Sequence, residues 1–195
     1  MPGPYGAVAI VLHSHIPYVL GHDQLEEEWL FEAVAESYLP LLQGFRGLIA
    51  QNIAPQVTLG LTPVLLEQLA DPRFAPRFVS YLERKTWAAW DDQRTFTARN
   101  EAELARVAGL WASYYQHTGR FFQHELAADI IGGFRQLQTT AGVEMLTSAA
   151  SHAYLPLLGT DAAVQAQIAL GVACSEHHFG TLAQGCWLPE CGYRP

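Results

Sequence analysis

The sequence predicts an α/β fold with a parallel sheet, on three observations. Short continuous apolar runs read as strands buried on both faces. Amphipathic helical stretches alternate with them, as parallel pairing requires. The residues able to do chemistry fall just past the ends of the runs, the edge where parallel sheets bind ligands.

The first run, residues 7–12, is flanked by Gly6 and by the polar His13-Ser14-His15. A helix is expected from Glu26 to about Leu39, with acidic residues in its first turn, where the helix dipole favours them. Its inward-facing set is Trp29, Leu30, Ala33, Val34 and Ser37-Tyr38, and Pro40 is expected to bend or end it before a continuation over residues 41–49. A second strand is expected over residues 56–61. Thr62 then suits a helix cap and Pro63 the first helical position, with helix continuing from Val64 to Leu69. A third strand is expected over residues 143–148 and a weaker fourth over about 181–187. Between the last two, residues 161–173 read as a helix capped by Thr160 or Asp161.

Residues 71–142 are too long for an ordinary crossover and read as a mostly helical insertion. Their longest helix is expected over about 100–126, with Leu104, Val107, Leu110, Trp111, Tyr114 and Tyr115 as its apolar stripe.

Hydrophobic residues make up 50% of the 195 and charged residues 15%, against about a quarter in ordinary domains, so a large fraction of the chain expects burial. The net charge of −8 argues against nucleic acid or an anionic membrane surface as partner, and leaves room for a neutral polymer. No run of 18 apolar residues suggests a membrane helix, and the start, Met1-Pro2-Gly3-Pro4-Tyr5-Gly6, lacks the basic region of a secretory signal. Three cysteines, Cys174, Cys186 and Cys191, do not make a disulfide framework, and the Cys186/Cys191 spacing is not that of a zinc ribbon. A cytoplasmic protein with reduced thiols is expected.

Glu190 stands out. It lies between Pro189 and Cys191 in a nearly uncharged, aromatic stretch, where Pro189 would hold its backbone stiffly. Either it serves as an attacking carboxylate of sugar chemistry, which also needs a second carboxyl group, or it is a buried glutamate paired with an arginine such as Arg194. His13 and His15, two residues apart in an extended segment, point to one side. They could ligate a metal, hydrogen-bond sugar hydroxyls, or simply pack. His152 after the third run reads either as a further site residue or as a satisfied half-buried histidine. His177-His178 near a helix end reads as structural, and His22, His117 and His124 as surface residues.

Together these segments resemble glycoside hydrolase family 57. The resemblance rests on His13-Ser14-His15-Ile16-Pro17-Tyr18, the Glu27-Glu28-Trp29 element, Ser37-Tyr38-Leu39-Pro40 and Thr62-Pro63-Val64-Leu65. It continues through Thr147-Ser148-Ala149-Ala150-Ser151-His152 and Gly185-Cys186-Trp187-Leu188-Pro189-Glu190-Cys191-Gly192-Tyr193. Within the family the similarity is to its 1,4-α-glucan branching enzymes. It implies an incomplete (β/α)7 barrel, of which residues 1–195 would be the N-terminal part, without its remaining strands or C-terminal helical domain. It implies Glu190 as nucleophile, His13, His15 and His152 as substrate-binding residues and Trp187 as a nearby wall. The substrate would be an α-glucan such as amylose, amylopectin or glycogen, with no metal or other cofactor. No aspartate here matches the family's acid/base motif, so the chain alone is expected to be inactive, and an unpaired sheet edge would favour self-association. Other readings are a family 57 amylase or 4-α-glucanotransferase, a metal-dependent hydrolase or deacetylase with His13, His15 and Glu190 around the ion, and a glucan-binding module without turnover.

Overall fold

The computed structural model describes residues 6–140 and 142–194. Residues 1–5, which bear on the reading of the N-terminus, lie outside the described residues, as do Ala141 in the expected insertion and Pro195. In chain order the elements begin with β1 (Val11–Ser14), α1 (Gln24–Ala33), a π-helical turn (Val34–Tyr38), α2 (Leu39–Ala50), β2 (Thr58–Leu61) and α3 (Pro63–Ala70). They continue with α4 (Phe74–Ala98), α5 (Ala102–Arg120), a second π-helical turn (Phe121–Glu125) and α6 (Ile130–Thr140). Then come β3 (Glu144–Ser148), α7 (Asp161–Phe179), β4 (Cys186–Trp187) and a 3₁₀ turn (Pro189–Cys191). Two compact units result: one from residues up to Tyr18, Gly44–Gln68 and Phe134 onward, the other from Val19–Gln43 and Leu69–Gly133.

The first unit holds the sheet. Its strands are parallel and lie in chain order, β1-β2-β3-β4. Parallel neighbours in chain order form the wall of a (β/α) barrel, as the fold class predicts. Leu59, Leu61, Leu65, Phe134, Leu137, Val143 and Met145 are buried in this unit, each side chain contributing about 1.5–3 kcal/mol of transfer free energy. Helix α7 packs very closely on β3: a Cβ at Gly171 would overlap the Ser148 carbonyl oxygen, and Thr147 Oγ1 donates to the Gly171 carbonyl at 2.7 Å.

Three strand boundaries depart from expectation. The first strand is displaced toward the C-terminus, because pairing exists only where β2 lies opposite: Val11 faces Thr58 and Ser14 faces Leu61. Residues 7–10 outrun that partner and Val8 and Ile10 are exposed, so His13 sits within the strand rather than after it. The second strand begins at Thr58 instead of Gln56. The fourth shrinks to Cys186–Trp187, because α7 runs on to Phe179 and ends at Gly180, whose left-handed backbone (φ 73°) only glycine adopts freely. Thr160 caps α7 by accepting from the Ala163 N–H at 3.2 Å.

The second unit is helical. Pro40 offers no N–H to the Glu36 carbonyl, and the π-helical turn just before α2 absorbs the mismatch, so the helix shifts register instead of stopping. Leu30, Val34 and Tyr38 are buried as expected, whereas Trp29 is exposed and Phe31 takes the core position. Phe31 packs with Phe74, Phe78 and Tyr81 at ring separations of 5.5–6.2 Å, and Phe122 meets Phe78 edge-on. Buried Glu27 accepts from the Gly21 N–H at 2.6 Å and pairs with Arg77. The expected stripe of α5 is corrected. Ala105, Ala108, Ala112 and Tyr115 are buried while Leu104, Val107, Leu110 and Trp111 are exposed. Small side chains let α4 and α5 approach closely, and that contact wins over the larger apolar residues.

Among the described residues no helix is long and apolar enough to cross a membrane.

Candidate active site

Parallel pairing brings His13, His15, His152, Trp187 and Glu190 together. The register sets His13 beside Gly60 and, two strands on, Ser148 beside Trp187. The His13 ring stacks on Trp187 (4.8 Å between centroids, 14° between planes) and on His152 (4.9 Å, 22°). The His15 ring also stacks on His152, with 4.1 Å between centroids and 27° between planes. Gly60 makes room for this: a Cβ there would lie 2.9 Å from His13 Nδ1.

The hydrogen bonds assign the tautomers. Ser148 Oγ donates to the Trp187 carbonyl at 2.8 Å, so its oxygen accepts from His152 Nδ1–H at 3.2 Å. His152 Nε2 is then a bare acceptor, and His13 Nε2–H donates to it at 3.4 Å. His13 Nδ1 is left as a buried lone pair with no hydrogen-bond partner among the described residues. His15 Nδ1 pairs with Thr62 Oγ1 at 3.2 Å. Thr62, expected only as a helix cap, therefore serves the histidines through its hydroxyl, while its carbonyl accepts from Leu65 and Leu66.

Burial, reinforced by the neighbouring imidazole of His152, lowers the pKa of His13 and of His15 to about 4. Burial also lowers that of His152, against the opposing pull of Glu190. At neutral pH His13 and His15 are uncharged, able to donate to and accept from neutral hydroxyl groups.

Glu190 sits in the 3₁₀ turn with a left-handed backbone (φ 53°, ψ 27°), followed by Cys191 at φ 54°; His152 is left-handed too, at φ 57°. Non-glycine residues in this region carry backbone strain, which collects at functional sites. The Glu190 side chain is 75% exposed, and its Oε1 lies 3.8 Å from Nε2 of His152, a ring only 4% exposed. That exposure rules out the buried, arginine-paired glutamate of the alternative reading. Beside the turn opens a cavity of about 600 Å³ lined by Leu155, Pro156, Asp161, Leu188, Tyr193 and Arg194; neither the imidazoles nor Glu190 lines it.

His22, His117 and His124 are exposed, as expected. His178 is buried and bonded to Glu67, away from this set. Among the described residues, three donor atoms that converge closely enough for a metal ion come from Glu67, Cys174 and His178, and not from the histidines beside Glu190. Sequence reasoning passed over Gly60 and Ser148. Ser148 closes the third predicted strand, and its place beside a strand end was the available signal.

The sequence profile of glycosyl hydrolase family 57 matches residues 9–195. Over 97% of its length the chain is 43% identical to a 1,4-alpha-glucan branching enzyme of Thermococcus kodakarensis, of which it spans 28%. The crystal structure of a GH57-type branching enzyme from Pyrococcus horikoshii superposes with a TM-score of 0.91 at 41% identity, over 96% of this chain and 35% of that one. The alpha-amylase AmyC of Thermotoga maritima follows at 0.84 and 31% identity, over 95% of this chain and 35% of that one. With a profile match that starts just before β1 and takes in every residue of the imidazole cluster and Glu190, this chain belongs to glycosyl hydrolase family 57.

Proposed function

We propose that this chain is the nucleophile-bearing N-terminal part of a catalytic barrel, with residues 71–142 as its helical insertion, in a retaining 1,4-α-glucan branching enzyme. The observation that carries the reading is the exposed carboxylate of Glu190, set on a strained turn 3.8 Å from a buried imidazole. Uncharged His13 and His15 suit a neutral sugar better than an ionic substrate.

In this mechanism Glu190 attacks the anomeric carbon of an α-1,4-linked glucosyl unit. A bond forms from its carboxylate oxygen to that carbon, the link to the leaving 4-oxygen breaks, and a second carboxyl group protonates that oxygen. The same group, now ionised, takes the proton from an acceptor 6-hydroxyl as its oxygen displaces Glu190, leaving an α-1,6 link. The second carboxyl group belongs to a part of the barrel that these residues do not supply. His13, His15 and His152 hold glucosyl hydroxyls, and Trp187 backs His13. No cofactor takes part. Glycogen or a starch-type glucan is the substrate we assign, with the cytoplasm as location and an unpaired edge of the barrel sheet as a surface for self-association; nucleic acid and membrane are not partners.

The test is a chimera in which residues 9–195 replace the matching span of the Thermococcus enzyme. Glu190→Gln should lower the formation of α-1,6 links by on the order of 10⁴-fold or more while glucan binding changes little. Unchanged branching in that variant would overturn the assignment. Release of reducing ends without new branches would favour an amylase, which the likeness to the Thermotoga structure keeps in view.

A further inference from the structure

We propose that Glu67, Cys174 and His178 form a binding site for one zinc-type divalent ion, clipping α3 to α7. Cys174 and His178 are four residues apart on α7, so one helical turn sets both side chains on the same face. Glu67 lies one turn into α3 and faces them. Its Oε1 accepts from Cys174 Sγ at 3.3 Å and from His178 Nε2 at 3.1 Å, and all three donor atoms lie within 4.8 Å of one another.

Two of the three edges are already close to those of a tetrahedral site, and the third, between thiol and imidazole, lies within the 4.8 Å bound and closes as the ion draws both donors in. Metal–sulfur, metal–nitrogen and metal–oxygen bonds of about 2.3, 2.0–2.1 and 2.0–2.2 Å place neighbouring ligand atoms roughly 3.4–3.6 Å apart. The donors therefore need to move by only a few tenths of an ångström along the two hydrogen-bonded edges. One thiol, one imidazole and one carboxylate form a mixed donor set that zinc accepts, and hard cations such as magnesium or calcium do not take a thiolate in this way. The Glu67 side chain is 59% exposed, leaving an entry path and a fourth position for water, while the His178 side chain is 9% exposed and held in place.

Without an ion the three side chains form a hydrogen-bonded trio. Burial and the adjacent carboxylate push the Cys174 thiol up to about 12, so it stays protonated. Burial pushes the Glu67 carboxyl up as well, but hydrogen bonds from His178 and Cys174 together hold it below its usual range. A divalent ion between thiol and carboxylate reverses the first effect, because a coordinating thiol gives up its proton. Each metal bound then releases a proton, and affinity rises with pH.

The experiment uses the 195-residue chain, stripped with a chelator and titrated with cobalt(II) and, in competition, zinc. One cobalt per chain with a near-ultraviolet thiolate-to-cobalt band, displaced by zinc, is expected. Cys174→Ser should abolish the band, and Glu67→Ala should weaken binding by at least about 10-fold. Both residues are more accessible than His178, so these variants should fold even if His178→Ala does not. Cys186→Ser/Cys191→Ser should keep the band. Absence of a cobalt band, its survival in Cys174→Ser, or its loss in the Cys186/Cys191 variant would each overturn the site.

Discussion

Two histidine clusters in the sheet-bearing unit use the same side chain in opposite ways. Around β1, β3 and the Glu190 turn, the rings of His13 and His15 each stack on that of His152, and burial strips His13 and His15 of charge. Between α3 and α7, His178 meets a carboxylate and a thiol instead. The first cluster is positioned by backbone: strand register, a glycine-wide gap at Gly60 and left-handed residues at His152 and Glu190. The second is positioned by helix spacing and closed by a largely exposed glutamate. Neutral imidazoles in a rigid frame suit recognition of uncharged hydroxyls. Donors of mixed charge on neighbouring helices suit a cation.

If the frame of the first cluster is what matters, disturbing it should cost far more than disturbing the second. Gly171→Ala should have the largest effect. The added methyl meets the Ser148 carbonyl oxygen, a backbone atom in a paired strand, so α7 or β3 must shift. A loss of about 3 kcal/mol is expected, read as a fall in unfolding midpoint with denaturant. A loss under 1 kcal/mol would mean that the close α7–β3 contact is not part of the frame. Ser148→Ala comes next. It leaves the Trp187 carbonyl without its hydroxyl donor and His152 Nδ1–H without its acceptor, at a cost of about 1–2 kcal/mol. Nitrogen-15 NMR of the imidazoles should show His152 losing its single Nδ1–H tautomer; an unchanged tautomer would show that something other than Ser148 sets it.

The sequence carries the first cluster more plainly than the second. Apolar runs ending in His13-Ser14-His15, in Ser148 before His152 and in Trp187 before Glu190 place those groups at one sheet edge, because parallel strands share their C-terminal ends. Strand limits were less legible. Residues 7–10 look as strand-like as residues 11–12, and only the length of the partner strand decides where pairing begins. On α5 the large apolar residues suggested the buried face, but close helix packing selected Ala105, Ala108 and Ala112. The second cluster was hidden because Glu67 and Cys174 are 107 positions apart. His178 looked merely structural next to a helix end, and nothing local in the chain marks the approach of α3 to α7.

The comparison can also be sharpened by pH. The folded pKa values of His13 and His15 are lowered from 6.5 to about 4, so the unfolded chain takes up protons before the folded one does. Stability from these two rings is therefore fully present above pH 6.5 and is lost as pH falls toward 4. His152 and Glu190 face the same rings, the former disfavouring their charge and the latter favouring it on His15. Because the rings are only half-buried, the effect should be on the order of 1 kcal/mol across that window after solvent screening. Thermal unfolding from pH 7 to pH 4, compared between the parent chain and His13→Asn, measures it. An identical slope in both would show that His13 does not titrate as its surroundings require.

The smallest effect should come from Glu67→Gln in metal-free protein. The carboxylate is mostly exposed, and a glutamine oxygen can still accept from His178 and Cys174. Only the charge is lost, which at such a site is worth less than about 1 kcal/mol. Unfolding midpoints of parent and variant should then nearly coincide without metal and separate once zinc is added, because only the parent retains the charged ligand and ligand binding to the folded state raises its stability. A large difference without zinc would make Glu67 a structural anchor of α3 against α7, placing the second cluster in the same rigid class as the first. Equal midpoints with and without zinc would remove the metal from that contrast and leave a hydrogen-bonded trio.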